Sequence, residues 1–208
     1  MLHEEEMYDD PDIFPLEHGD QLFLNDLAQL ELDALEKYAY RGYKRDQLMV
    51  YSSAYKEAAD RLVQTLQKHY SATLTLPIVF LYRHYVELTL KDLLSMSNAK
   101  YSKPSTPRLL NGHRIDLLWQ ELKPFLQQTH SAEESEVIEA VEACIMEFSN
   151  VDEGSFSFRY PVDKQGNSTL KNNPRLRALE YIDVHHLAEK MASMYGFFMV
   201  SYVYLIGM

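Results

Sequence analysis

Apolar positions run almost all the way round one stretch of this chain, Leu76 to Met96, LPIVFLYRHYVELTLKDLLSM. A helix apolar on most sides is one packed against several neighbours, so this stretch predicts the central helix of a bundle. Pro77 suits the first turn, where its missing N–H has no partner to lose, and Thr75 is placed to cap it. One narrow polar line interrupts the pattern. Arg83, Glu87 and Lys91 stand four residues apart and share a face, with His84 beside them. Two readings of the line stay open. It is a strip lining a cleft or a subunit contact, or it is a solvent edge carrying two ion pairs worth about a few tenths of a kcal/mol each.

The same periodicity predicts further helices. Leu24, Leu27, Leu30, Leu35 and Tyr38 mark one from Gln21 to about Tyr40. Leu48, Tyr51, Tyr55, Ala58, Ala59, Leu62, Leu66 and His69 mark a second, from about Lys44 to His69. Asn98 to Gly112, with Pro104, Pro107 and Asn111-Gly112, reads as a loop. Ile115, Leu118, Trp119, Leu122 and Leu126 mark the next helix, which Pro124 is expected to kink or shorten. Ser131 and Glu134 form a capping-box pattern ahead of a stripe of Val137, Ile138, Val141, Cys144, Ile145 and Phe148. Asp183 can cap a last helix from Val184 to about Ile206.

In one place the period changes to two. Phe156, Phe158, Tyr160 and Val162 alternate with Ser157, Arg159 and Pro161. Asp163 to Asn167 is turn chemistry, and Ser168 to Lys171 can return as a second strand. The expected fold is therefore an all-α bundle of about five to seven helices with a small β-hairpin insertion. It forms a single helical domain over 21–208, preceded by an acidic arm over 1–20. That arm carries Glu4 to Glu6, Asp9, Asp10 and Asp12 beside His3 and His18, and reads as a solvated tail rather than a metal site.

Charge and composition narrow the function. A net charge of −11 argues against a broad phosphate-binding surface, which needs clustered Lys and Arg, but leaves a small local RNA site open. The single cysteine, Cys144, excludes an internal disulfide and fits a reducing cytoplasm, where it reads as a small core residue. No basic region followed by an apolar run opens the chain, so no secretory signal is expected. Met191 to Met208 carries no charge, yet its Ser193, Ser201, glycines and tyrosines favour a helix buried in the core or in a dimer interface over a membrane anchor.

No glycine-rich phosphate loop, HExxH, CxxC or GxSxG occurs, and no cofactor is expected. His185 and His186 beside Asp183 point about 100° apart on a helix and do not share a face, so no metal site is predicted there. His69, His84 and His130 have no carboxylate or thiol at ligand spacing that stands out.

Three stretches resemble, in this order, a bacterial helical family of the HEPN class: YRHYVELTLKDLL (82–94), GHRIDLLWQEL (112–122) and DEGSFSFRYPVDKQG (152–166). The resemblance spans about 75–166. It implies a small helical bundle, often dimeric, whose members include RNA-cleaving toxins, defence nucleases and non-catalytic partner-binding modules. The nucleases of that class use an Arg, four to six residues, then a His. Arg108-Leu-Leu-Asn-Gly-His113 has that spacing here, although about one such pair arises by chance in a chain of this composition. Arg159, in the segment where the motif belongs, is followed by Tyr160-Pro161 and no spaced histidine.

His113, after Gly112 and near a helix start, can also hydrogen-bond across to Glu87. Arg114 and Asp116 would complete a polar cluster. Arg83, Glu87, Lys91, Asp116, Arg159 and Tyr160 are thus candidates either for an anion site or for a buried network that fixes the bundle. Three functions stay in play. The first is a non-catalytic interaction module of a bacterial stress or defence system, dimeric or bound to a protein partner. The second is a metal-independent ribonuclease with His113 as acid and base and Arg108 or Arg159 on the phosphate. The third is a small-ligand sensor, which a closed pocket lined by tyrosines would support. The acidic charge favours the first.

Overall fold

In the computed structural model the described residues are 48–68, 72–171, 173–178 and 181–207, all within one compact unit that runs from Arg45 to Met208. The acidic arm, the expected helix from Gln21 to Tyr40, and His69 lie outside the described residues. Seven α-helices follow one another within them: α1 (Leu48–Lys68), α2 (Thr75–Tyr101), α3 (Pro107–Leu110), α4 (Ile115–Thr129), α5 (Ser135–Val151), α6 (Pro174–Ala178) and α7 (Val184–Ile206). Helices α3 and α6 are single turns.

Helix α2 sits at the centre, with α1, α4 and α7 against it and α5 laid on α4. Its apolar circumference explains that place. Ile78, Val79, Tyr82, Tyr85, Val86, Leu90, Leu93 and Leu94 are all buried, facing several partners at once. The helix starts at Thr75 after a 3-10 turn at Ala72–Leu74, so Thr75 is its first residue and not the expected cap; Leu74 holds that position and offers no side-chain acceptor. At the other end Ser102 takes a left-handed φ of 52° and its N–H returns to the Asn98 carbonyl. Beneath α2, Ile115, Leu118, Trp119, Leu122 and Leu126 of α4 are fully buried. Helix α4 runs on past Pro124 to Thr129.

The two predicted caps form. The Ser131 N–H donates to Glu134 Oε2 at 2.8 Å ahead of α5, and Asp183 Oδ1 accepts the His185 and His186 N–H groups at 2.9 and 3.0 Å at the start of α7. Part-buried polar pairs also tie α2 to its neighbours. Tyr82 donates to Asp60 of α1 at 2.7 Å, and Tyr202 of α7 donates to Asp92 at 2.8 Å.

The β-hairpin does not form. Among the described residues the segment after α5 makes one isolated antiparallel bridge, Val162 to Ser168, and otherwise turns. The cause is local. Asp152 Oδ1 accepts the Phe156 and Ser157 N–H groups, and the Arg159 and Tyr160 N–H groups return to the Phe156 carbonyl. Backbone donors that a ladder needs are spent on these turns, and Pro161 has none to give. The predicted turn itself is present. Asp163 accepts from Gln165 and Asn167, and Gly166 takes a φ of 82° that suits glycine.

Candidate functional site

The polar line of α2 is buried, which corrects its reading as a solvent edge. Arg83 is 0 % exposed and Glu87 1 %. Such a residue is tolerable only if its charge is paired and its hydrogen bonds are met. Both conditions hold for Arg83. Its Nη1 donates to Glu87 Oε2 at 3.0 Å and its Nε to the Asp152 carbonyl at 3.0 Å. Its Nη2 donates to the His113 carbonyl at 2.7 Å and to the Glu153 carbonyl at 3.4 Å. The Asp152 carboxylate stands 3.6 Å from Nε and adds a second negative charge. One planar guanidinium thus joins α2, the approach to α4 and the end of α5, a task suited to its rigid fork of donors. Burial pushes the Arg83 pKa down, and Asp152 and Glu87 push it back up.

Glu87 is the second hub. Its Oε1 accepts from Lys91 Nζ at 2.9 Å and meets His113 Nδ1 at 2.9 Å. The expected Glu87–His113 contact is therefore present. An ionised carboxylate can only accept, so it is Nδ1 that carries a proton in this contact, which leaves Nε2 as the acceptor whenever the ring is neutral. The His113 side chain is 53 % exposed while its carboxylate partner is buried. Gly112 lets the chain reach this position: a Cβ there would sit 3.2 Å from the Arg108 carbonyl oxygen. Burial pushes the Glu87 pKa up, but Lys91, His113 and Arg83 outweigh it and hold the carboxyl below its ordinary 4.5.

A pH dependence follows, and its sign is set by that depression. Stability from Glu87 is complete above about pH 4.5 and is lost as the pH falls through the lower native value. Asp116, held below its ordinary 3.8 chiefly by Arg114, adds to the same acid limb. Urea unfolding from pH 3 to 7 is expected to show stability falling on the acid side, with a shallower fall in Glu87→Gln.

The remaining candidates lie around this network. Arg114 pairs with Asp116 through Nε at 2.9 Å and also reaches Glu153. Arg159 is exposed. Its guanidinium carbon lies 5.6 Å from the Phe80 ring centre and 5.3 Å from that of Tyr160. Its Nε donates to the Ser155 carbonyl, so it covers the site from outside without joining the hydrogen bonds of Arg83. His84 stacks on Phe80 with centroids 5.7 Å apart and meets the Tyr55 ring edge-on at 4.5 Å. Burial lowers the His84 pKa, helped by the cations Lys91, Arg159 and Arg83 against Glu87. Arg108 is exposed on α3 and makes no hydrogen bond or ion pair among the described residues. The spaced pair therefore supplies one group to the network and leaves the other outside it.

Asp152 and Glu153 were not singled out by residue pattern, although the resembling segment begins at Asp152. Their partner Arg83 is 69 and 70 residues away in sequence, and no periodicity reports a contact of that range. Among the described residues no group of three or more His, Cys, Asp or Glu is arranged to hold a metal ion, and no helix is long and apolar enough to cross a membrane.

The part of α7 from Met191 onward, which carries no charge, has two faces. Met191, Met194, Phe197, Phe198, Ser201, Tyr202 and Leu205 of α7 are buried. On the opposite side Tyr195, Val200, Val203 and Ile206 are 39, 41, 41 and 56 % exposed, with Ala192 and Gly196 exposed among them. No family model, no curated protein and no solved structure matches the chain.

Proposed function

We propose that this chain is a non-catalytic, HEPN-like helical interaction module that pairs with a second copy of itself through the outer face of α7. The observation that carries the reading is that face. Four large apolar side chains, 39–56 % exposed, share one side of a helix that has no charge from Met191 onward. Contiguous exposed apolar surface on a soluble fold marks an interaction site. A second copy fits because the chain carries −11 overall while the α7 residues of this face add none of it, and the cation beside it, Lys56, lies with its Nζ 5.3 Å from the Tyr195 ring centre, so no carboxylate of α7 from Met191 onward opposes the pairing. Ala192 and Gly196 keep the helix thin, and a Cβ added at Gly196 meets nothing within 4 Å.

Sedimentation tests the reading. The chain is expected to be a dimer at micromolar concentration, and Val203→Glu is expected to weaken pairing by roughly a hundredfold because it places a charge in an apolar contact. Helix content by circular dichroism should not change, since Val203 is not part of the core. A monomer at all concentrations, or a Val203→Glu dimer as tight as the parent, overturns the proposal.

A second reading, a metal-independent ribonuclease, is favoured by His113 alone. Its Nδ1 rests on the buried Glu87 carboxylate while the rest of the ring faces solvent. That is how an imidazole is oriented to accept and return a proton at Nε2. RNA cleavage in the presence of EDTA, lost in His113→Ala and reduced in Glu87→Gln, is the result it expects. No cleavage of single-stranded or structured RNA removes it.

A further inference from the structure

A cleft of about 310 Å³ opens between α2, α5, α7 and the turn segment, sharing no residue with the Arg83 network and lying on a different part of α7 from its outer face. It sits at the lower end of the size range of small-molecule sites. Its floor is apolar: Val79, Phe148, Val151, Phe158, Leu187 and Met191. Two opposite charges line it from different helices, Glu147 of α5 and Lys190 of α7. Among the described residues neither has an ion-pair partner within 4.0 Å. The other lining carboxylate, Asp183, is already engaged in capping α7 through the His185 and His186 N–H groups. Cys144 completes the wall. Burial and Glu147 raise its pKa while Lys190 lowers it, so both charges lie close enough to act on the thiol.

We propose that this cleft binds a small zwitterion with an apolar body, an apolar α-amino acid being the simplest, with its ammonium towards Glu147 and its carboxylate towards Lys190. A simple carboxylate would satisfy Lys190 but bring like charge to Glu147. A simple amine would do the reverse. Only a ligand with both groups meets both walls while its side chain covers the floor. Of the lining residues only Tyr181 is a tyrosine, so apolar contact and charge carry recognition here rather than a ring of hydroxyls.

The single cysteine of the chain supplies the readout, because alkylation by iodoacetamide reports on Cys144 alone. L-phenylalanine is expected to slow alkylation saturably, with 3-phenylpropionate and phenethylamine each weaker by about tenfold. Lys190 is exposed, so Lys190→Glu should keep its circular dichroism spectrum and weaken L-phenylalanine by a similar factor. Equal protection by all three compounds, protection by none, or unchanged affinity in folded Lys190→Glu overturns the assignment.

Discussion

Arg83→Ala is expected to lower the free energy of unfolding by about 3–5 kcal/mol, the cost of removing one partner from a buried ion pair. The loss is large because the groups left behind cannot reach water. Glu87 stays buried at 1 % exposure with Oε2 unpaired, and the carbonyls of His113 and Asp152 each lose a charged donor. Arg83→Lys is expected to recover less than half of the loss. An ammonium is a point charge and cannot span α2, the approach to α4 and the end of α5 at once. Urea unfolding followed by the fluorescence of Trp119, the only tryptophan, measures both variants. A loss below about 1 kcal/mol for Arg83→Ala would place the network at the level of a surface ion pair.

That outcome also bears on function. A guanidinium with donors committed to Glu87 and three carbonyls is not free to hold a phosphate. The part of the network available to a ligand is its rim, His113 and Lys91 around Glu87 Oε1, with Arg159 outside. The ribonuclease reading therefore rests on His113, and the interaction reading draws on a surface that this network does not touch.

Much of the bundle was legible because each core helix carries its own pattern. The stripes of α1, α2, α4 and α5 repeat within a few residues, and the Ser131–Glu134 and Asp183 caps are local chemistry. The contact from His113 to Glu87 was legible as well, since a histidine just before a helix start has few partners within reach. Depth was not. Arg83, Glu87 and Lys91 form the same four-residue ladder on a surface as in a core, and what buries it comes from far along the chain, His113 from 30 residues away and the Asp152–Glu153 turn from 69 and 70. The alternation from Phe156 to Val162 failed for a related reason. Period two signals a strand only when backbone donors are free for a ladder, and Asp152 captures two of them first. Helix α7 shows the limit of hydropathy from another side. Both its faces are apolar, so the pattern does not separate the face this chain covers from the one it leaves open. The cleft beneath Lys190 was invisible for the same reason as Asp152, since its walls come from α2, α5, the turn segment and α7.

Trp119→Ala is expected to cost about 3–5 kcal/mol, and for a different physical reason. Trp119 is 0 % exposed in the middle of α4, with its ring centre 6.4 Å from that of Phe197 on α7. Its removal leaves a cavity that four rigid helices cannot close, so lost burial and lost dispersion add. The indole N–H contributes little to the loss. It donates to Glu142 Oε1 at 3.2 Å, but that carboxylate keeps Lys123 on its other oxygen at 2.6 Å. Trp119→Phe, which retains most of the volume, is therefore expected to cost less than half as much as alanine. Circular dichroism replaces fluorescence as the readout, since the chromophore is gone. Trp119 and Arg83 share no hydrogen-bond partner, so their effects should add to within about 0.5 kcal/mol. The sum, about 6–10 kcal/mol, is comparable to the whole stability of an ordinary domain, and the double variant should be unfolded without denaturant. A double variant that still folds cooperatively would show that the polar network and the apolar core hold the same interface, so that losing one already spends most of what the other protects.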